Sequence, residues 1–366
     1  MECDYELPAR EVIPAALAAG ALTPGDVVHR GVLVEQVGRS HLVYRVSVGG
    51  VLQFFVKTFG PTRGATDGLA ARERAVLALA RDRPPVAALV PDAWAWERSP
   101  QPASKAWNVV VTKAMAGTEA WTVDRGGGGT RTTNEAWAAL VQALAAPLAA
   151  FHRATRDLAK PGADLNPVLR ALEPWGLCVM DGDAAPELWV NPATAALLHD
   201  AAADPALVAG IRGARGLWRS LALVHGDLKH DNVLLEPTAD GFRARVLDWE
   251  MARIGDPAWD LAGLTARLAA ARGDEGPWQG DDLAAAALLV RTYSEASGLR
   301  PSGLAQRQVL YAGTVLLMMA LQHGSTLAPG ADMTAARLLV MKARATFRSA
   351  DRLVAQIVAR SESIST

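Results

Sequence analysis

The stretch LVHGDLKHDNVLL, residues 223–235, places six polar side chains between two apolar runs. A window of this polarity does not suit a core, and its close apolar flanks do not suit a surface tail. Within it, a carboxylate at Asp227 is followed five positions later by an amide at Asn232. The flanking runs are typical of short strands, so the polar residues are predicted to lie on a loop held at both ends. This pattern indicates a functional site.

A second acidic window, VLDWEMARIGDPAWDLAGL, follows at residues 246–264. It contains Asp248, Glu250 and Asp256, and Asp260 is predicted to be the N-cap of the next helix. If the short strands of this region pair, their ends bring acidic and amide side chains together. Such a set of oxygen ligands suits a divalent cation held against phosphates.

These residue types match the needs of phosphoryl transfer to a hydroxyl. A carboxylate must orient and deprotonate the acceptor, and oxygen ligands must hold Mg²⁺. Asp227 supplies the first, and Asn232 and Asp248 supply the second. Lys57, the one lysine in the first hundred residues, is predicted to hold the α- and β-phosphates. Glu73 has the right charge and spacing to pair with Lys57.

The rest of the chain divides into a strand-rich beginning and a helical remainder. Residues 31–57 alternate between apolar and polar and contain a Gly-Gly pair, which predicts antiparallel strands joined by a tight turn. Residues 66–82 have a helical period, and Glu73 falls on its apolar stripe. Two further strands are predicted near 90–96 and 107–112. From residue 135 the chain is predicted to be mostly helical, except at 221–250.

Composition narrows the class of protein. The 366 residues are half hydrophobic and carry 37 basic against 38 acidic side chains, so we expect a globular protein with no nucleic acid as partner. Two cysteines are too few for a disulfide framework and suit a reducing compartment. The apolar run at 314–321 is shorter than a membrane span, and the first residues do not resemble a secretory signal. We therefore expect a cytoplasmic chain without membrane contact.

Together the two windows resemble the aminoglycoside phosphotransferase and choline kinase family of small-molecule kinases. HGDLKHDN at 225–232 resembles the HGDxxxxN catalytic loop of that family, and LDWEMARIGDPAWDLA at 247–262 resembles its DWExAxxGDPxxDLA segment. The resemblance implies an α+β, two-lobed, protein-kinase-like fold with a small N-terminal antiparallel sheet lobe and a larger, mainly helical C-terminal lobe. It places the nucleotide-binding lobe at 1–113, a hinge at 114–118 and the catalytic and substrate-binding lobe at 119–366, with ATP and Mg²⁺ between the lobes.

The resemblance also implies roles for single residues on the catalytic side. Asp227 would be the catalytic base, and Asn232 and Asp248 would be the Mg²⁺ ligands. Lys229, two residues after the base, resembles the lysine with which serine/threonine kinases contact the γ-phosphate. His225 would tie the loop down, and Asp260 would accept hydrogen bonds from the loop backbone.

On the nucleotide side, the resemblance makes Lys57 and Glu73 the ion pair that holds the phosphates. The turn VGRSHLV at 37–43 has a single glycine where protein kinases have a glycine-rich loop, and Gly38 and Ser40 would contact the nucleotide there. Backbone groups of the hinge would contact adenine at Lys113 and Met115.

The acceptor stays open among several hydroxyl compounds. An aminoglycoside-like or other amine-bearing metabolite is one expectation, since the acid-rich segment 272–282 would attract an amine. A Ser or Thr hydroxyl of a peptide is an alternative, which Lys229 and an open loop at 119–134 suggest. A non-catalytic scaffold that binds nucleotide is a second alternative, although the complete set of predicted site residues is typical of an active enzyme.

Overall fold

The computed structural model describes residues 9–37, 42–59, 65–93, 108–114, 118–119, 134–181, 191–271, 276–328 and 330–363. These residues belong to two compact units. The first unit consists of Met1–Gly117 and two later segments, Asn166–Leu169 and Arg245–Ala252. The second consists of Thr118–Leu165, Arg170–Ala244 and Arg253–Thr366. The boundaries expected at 113 and 119 stay a prediction.

The first unit contains a four-stranded antiparallel sheet in the order β1-β2-β3-β4. Its strands are β1 (Val32–Gln36), β2 (Leu42–Val48), β3 (Val51–Phe59) and β4 (Asn108–Lys113). Gly49 and Gly50 join β2 to β3 with φ angles of 59° and 79°. A two-residue hairpin turn of this hand needs positive φ at both positions, which glycine adopts without strain. The predicted hairpin is therefore confirmed.

The two faces of this sheet have different tasks. Alternate residues of its strands, such as Tyr44, Phe54 and Val111, form a buried cluster with Val12 and Ala16 of helix α1 (Ala9–Ala18). Since successive side chains of a strand point to opposite faces, Lys57 of β3 lies on the face away from that cluster. The unit also contains α2 (Ala65–Leu79), as predicted, the short α3 (Pro84–Ala87) and a π-helical turn at Asp26–Arg30.

The strand predicted near residues 90–96 is reduced to one bridge within the described residues. Ala93 pairs with Thr112 of β4 as an isolated bridge, and residues 94–96 lie outside the described part of the chain. The N–H of Lys113 bonds to the carbonyl of Asp92 at 2.8 Å. The described residues of this segment, 90–93, thus lie beside β4 without forming a regular strand.

The second unit is mainly helical, as expected. Among its described residues are α4 (Asn134–Ala154), α5 (Trp175–Cys178), α6 (Pro192–Ala202), α7 (Pro205–Leu217), α8 (Pro257–Ala270), α9 (Asp281–Ser297), α10 (Pro301–Ser325), α11 (Thr334–Arg348) and α12 (Ala350–Ser363). Four of these helices begin with proline, whose fixed φ suits the first helical position. Asn191, Asp204 and Asp256 cap three of them with a side-chain oxygen.

Short strands in the predicted region 221–250 hold the polar loop. β6 (Ala222–Val224) pairs antiparallel with β9 (Arg253–Gly255). A second small sheet has the order β5-β7-β8, with β5 (Thr118–Glu119), β7 (Val233–Thr238) and β8 (Gly241–Val246). The residues between β6 and β7 are the polar ones of the first motif, and His230–Asn232 within them form a 3₁₀ turn. The loop is therefore fixed at both ends.

Helix α10 is longer and more apolar than the run at 314–321 suggested. Its 25 residues include a window with a mean hydropathy of 1.3, so by length and composition it is able to cross a membrane. However, 67% of that window is buried inside the protein. Since a core helix passes the same test, the helix is weak support for a membrane span.

Candidate active site

The first group of site residues surrounds Lys57 in the first unit. Its Nζ donates to Oε2 of Glu73 at 3.1 Å and to Oε2 of Glu250 at 2.7 Å, and it also bonds to Oδ1 of Asp248. Only 12% of the Lys57 side chain is exposed. The expected contact between Lys57 and Glu73 is present, and Glu250 joins it. The acidic window contained Glu250, but nothing in its spacing distinguished it from the other acids.

Asp248 has an unusual backbone conformation. Its φ and ψ are 67° and 56°, which makes it the one non-glycine residue with positive φ in the described part of the chain. Aspartate tolerates this region better than most residues, at a cost of about 1–3 kcal/mol. The following Trp249 is fully buried and donates its indole N–H to the carbonyl of Val246 at 2.7 Å. The turn is thus anchored so that both Asp248 and Glu250 reach Lys57.

The charges of this group are unequal. Burial by itself lowers the pKa of Lys57, but attraction to Glu73, Asp248 and Glu250 outweighs it and raises that pKa. Burial, aided by repulsion from the other two carboxylates, raises the pKa of Glu73. One ammonium group therefore faces three carboxyl groups that compete for it.

These three carboxyl groups fit a divalent cation. One oxygen from each of Glu73, Asp248 and Glu250 can be chosen so that all lie within 4.8 Å of one another. Carboxylate oxygens are the ligands that Mg²⁺ and Ca²⁺ prefer. A cation here would also supply the positive charge that Lys57 alone does not.

The second group lies on the loop between β6 and β7. Oδ2 of Asp227 accepts a hydrogen bond from Nζ of Lys229 at 2.7 Å. The side-chain amide of Asn232 donates to the main-chain carbonyl of Asp227 at 3.0 Å. The N–H of Asp227 in turn donates to Nδ1 of His225, which is completely buried. The structure therefore brings Asp227, Lys229 and Asn232 together on one rigid loop.

Asp260 of helix α8 holds the backbone of this loop by hydrogen bonds. It accepts the N–H groups of His225 and Gly226 at 2.8 and 3.0 Å, and its Oδ2 lies 3.2 Å from Nε2 of His152. Burial alone raises the pKa of Asp260, but the hydrogen bond and charge of His152 and the loop contacts outweigh it and lower that pKa. The other ring nitrogen of His152 lies 2.8 Å from the hydroxyl of Tyr293. The predicted hydrogen bonds from the loop to Asp260 are confirmed.

The prediction that Asp260 caps the helix is wrong. Asp256 is the N-cap of α8, and its side chain accepts the N–H of Ala258 at 3.0 Å. The reason is Pro257, which occupies the first helical position and makes the residue before it the cap. Asp260 then lies one turn inside the helix, where its side chain reaches the loop.

Gly263 of α8 permits the close approach of the same loop. A Cβ atom at this position would lie 2.4 Å from the carbonyl oxygen of Leu228. Any side chain would therefore push the loop away from the helix. Asp227 itself lines a cavity between the loop and helices α8 and α10.

The remaining predicted contacts are described only in part. Lys113 ends β4, and its half-exposed Nζ lies 3.6 Å from Asp92. The N–H groups of Lys113 and Ala114 already bond to the carbonyls of Asp92 and Gln53, so these two donors are engaged within the unit. Outside the described residues lie most of the loop at 119–134 and three predicted nucleotide-binding residues, Gly38, Ser40 and Met115. Their roles stay predictions.

A small antiparallel sheet with a buried lysine–glutamate pair, together with a helical unit that holds an HGD loop, defines a protein-kinase-like phosphotransferase. The model of the family described as phosphotransferase enzyme family matches residues 35–299. The chain therefore belongs to this family, and the resemblance found in the motifs is confirmed. Among curated proteins, no sequence matches.

Solved structures share the fold at low sequence identity. A microcompartment-associated aminopropanol kinase is 14% identical with a TM-score of 0.57, over 94% of this chain and 98% of that chain. The ethanolamine kinase of Plasmodium vivax is 11% identical with a TM-score of 0.57, over 93% and 88%. An amicoumacin kinase in complex with AMP-PNP, Ca²⁺ and Ami is 14% identical with a TM-score of 0.51, over 96% of each chain. The predicted fold class is thus confirmed.

Proposed function

We propose that this chain transfers the γ-phosphoryl group of ATP to a hydroxyl group of a small molecule. The observation that carries the proposal is the setting of Asp227. Its carboxylate stands on a loop that the buried Asp260 holds by two backbone hydrogen bonds, and it lines a cavity. A base held rigidly beside an open space is what deprotonation of a bound acceptor requires.

In this reaction Asp227 accepts the proton of the acceptor hydroxyl. The hydroxyl oxygen forms a bond to the γ-phosphorus while the bond from that phosphorus to its bridging oxygen breaks, and ADP leaves. Lys229 donates to Oδ2 of Asp227, which fixes the carboxylate and leaves Oδ1 for the acceptor. Lys229 is also close enough to the base to meet the transferred phosphoryl group.

Residues of the first unit would hold the phosphates. Lys57 is the cation for the α- and β-phosphates, and Glu73 keeps it in place. Asp248 and Glu250 are the side chains of this unit that would hold Mg²⁺, which would supply the positive charge that phosphoryl transfer needs. The role of Asn232 as a Mg²⁺ ligand stays a prediction. The amicoumacin kinase, whose structure contains AMP-PNP and Ca²⁺, supports a nucleotide and a divalent cation for this fold.

The structural neighbours support a small-molecule acceptor. They are kinases named for aminopropanol, ethanolamine and amicoumacin. Lys229, which suggested a peptide hydroxyl, is hydrogen-bonded to Asp227, and that contact serves any hydroxyl acceptor equally. We therefore propose a small molecule rather than a peptide.

The test is Mg²⁺-dependent formation of ADP by the purified chain with pools of alcohols, hydroxy acids, amino alcohols, aminoglycosides and hydroxyl-bearing peptides. Turnover with one pool is expected. Asp227→Asn should lower it by about 10²–10⁴-fold, the usual contribution of a general base, with nucleotide binding retained. Asp231→Asn is the matched control, because Asp231 lies on the same loop with 63% of its side chain exposed.

Three outcomes would contradict the proposal. Full turnover by Asp227→Asn would remove Asp227 as the base. Nucleotide binding without ADP formation in any pool would support the alternative of a non-catalytic scaffold. Turnover only with peptides would make the chain a peptide kinase.

A further inference from the structure

The cavity beside Asp227 lies wholly within the second unit. The catalytic loop contributes one wall through Gly226, Asp227 and Leu228. Helix α8 contributes Trp259, Gly263 and Arg267, and helix α10 contributes Val315, Met318, Met319 and Gln322. The four α10 residues are spaced so that they lie on one face of the helix. This face of α10 therefore bounds the cavity together with the loop and α8 residues.

The cavity contains one charged group, Arg267, that forms no ion pair among the described residues. Of its two charged lining residues, Asp227 accepts a hydrogen bond from Lys229. Arg267 is half-buried, and no carboxylate in the described ranges lies within ion-pair distance of it. Asp231 forms an ion pair with His230 at 2.8 Å. The charge of Arg267 also lowers the pKa of Asp231, but less than the charges of His230 and Lys229 do. The two charged lining residues therefore differ: Asp227 is engaged by Lys229, whereas the guanidinium group of Arg267 is available to an anion.

The residues around Arg267 favour the binding of an anionic group. Val315, Met318, Met319 and the buried Trp259 offer apolar surface, which reduces the screening of a charge beside them. A guanidinium group in such a place binds carboxylate or phosphate oxygens through two parallel hydrogen bonds. An ammonium group would be repelled by Arg267 and would find Asp227 as the one carboxylate among the lining residues.

We propose that the acceptor of this site is a hydroxyl compound with an anionic oxygen group, a carboxylate or a phosphate, that Arg267 binds while an apolar chain lies against Met318 and Met319. This inference rests on the proposed function, because Asp227 faces an acceptor only in a kinase. It differs from the amine-bearing acceptor that the acid-rich segment suggested. In that segment Asp282 is only 4% exposed, and neither Asp281 nor Asp282 lines the cavity. Its other two acids, Asp274 and Glu275, lie outside the described residues.

Binding of four matched probes tests the inference without requiring turnover. The probes are hydroxyhexanoate, the phosphate monoester of hexanediol, aminohexanol and hexanediol, each with its groups at opposite ends of the chain. Calorimetry with the complete chain should give a Kd at least about tenfold lower for one or both anions than for the other two probes, as expected of a charge-assisted bidentate pair. The anion that binds more tightly identifies the carboxylate or the phosphate.

Variants then assign the preference to Arg267. Arg267→Gln should remove it, and Arg267→Lys should retain part of it, which excludes loss of folding as the cause. Arg291→Gln is the matched control, because Arg291 lies on helix α9 in a local pair with Glu295 and does not line the cavity.

Three results would overturn the inference: tighter binding of aminohexanol, equal or absent binding of all four probes, or a preference that survives Arg267→Gln. Formation of ADP with the same probes is measured separately. If an anion binds through Arg267 and is never phosphorylated, the proposed function fails while the assignment of Arg267 stands.

Discussion

The two groups of ionisable residues differ in how their charges are matched. In the second unit, Asp260 is met by two backbone N–H groups and a buried imidazole, and Asp227 is met by Lys229. In the first unit, one lysine is shared by three carboxyl groups. The loop of the second unit is held by several hydrogen bonds, whereas in the first unit three carboxyl groups compete for the same ammonium group.

This difference separates two tasks in one enzyme. A base must keep its place while acceptors come and go, so its support consists of satisfied, buried hydrogen bonds. In the proposed function a site for phosphates and metal must exchange partners, and the three carboxyl groups that converge on Lys57 would suit this task. In the proposed function Asp260 and His152 would act through the loop as positioning residues, and Lys57 and Asp248 would contact the nucleotide.

The largest effect is expected from removing Lys57, the ammonium group that Glu73, Asp248 and Glu250 share. Lys57→Met leaves Glu73 buried among carboxyl groups, so we expect the free energy of unfolding to fall by about 3–5 kcal/mol, together with loss of ATP binding. Urea unfolding and calorimetry measure the two effects. Lys113→Met, at the half-exposed end of the same sheet, should cost about 0–1 kcal/mol. Equal losses in the two variants would mean that the cluster is not electrostatically special.

A smaller effect is expected from a change at Asp260, which accepts the hydrogen bonds of the loop in the second unit. Asp260→Asn removes a buried charge and replaces one acceptor oxygen by an NH₂ group. We expect the free energy of unfolding to fall by about 1–3 kcal/mol. We also expect a lower kcat with little change in the KM for ATP. Because the folded pKa of Asp260 is lowered, its stabilisation is present above the unfolded value of about 3.9 and is lost as the pH falls through the folded pKa. The difference from the wild-type chain should therefore be constant near neutral pH and shrink below about pH 4.

Unfolding curves across pH check this, with Asp240→Asn in the exposed turn between β7 and β8 as the control. A difference between Asp260→Asn and the wild type that does not change with pH would contradict the assigned charge of Asp260.

The smallest effect concerns the cation that the first cluster is expected to take. Millimolar Mg²⁺ without nucleotide should raise the Tm by roughly 2–4 °C, since a ligand of the folded state stabilises it. Glu250→Gln should reduce this rise, whereas Glu295→Gln, at a position of α9 whose side chain is 59% exposed, should not. The same rise in both variants would place the cation elsewhere.

Local features of the fold were predictable from the sequence because their causes are local. The Gly49-Gly50 turn, the strands around it and helix α2 follow from period, β-branched residues and glycine conformation. A proline that follows a capping residue also marks the start of a helix locally. Pro257 after Asp256 is such a signal, and it places the cap at Asp256 rather than at the predicted Asp260. Nothing in the sequence indicated that α1 covers one face of the sheet, because packing between elements leaves no local pattern.

The sequence by itself determined the family and the candidate site residues: an HGD loop with Asp227 and Asn232, a second acid at Asp248 and a strand lysine at Lys57. Only the tertiary structure decided which of these side chains meet. The bond between Lys57 and Glu250 joins residues 193 positions apart, and the segment Arg245–Ala252 belongs to the first unit although it lies late in the chain. Spacing along a helix or strand reaches only a few residues, whereas electrostatic contacts depend on distance in space. For the same reason the position of Arg267 in the cavity beside Asp227 follows only from the packing of helices α8 and α10 around the loop.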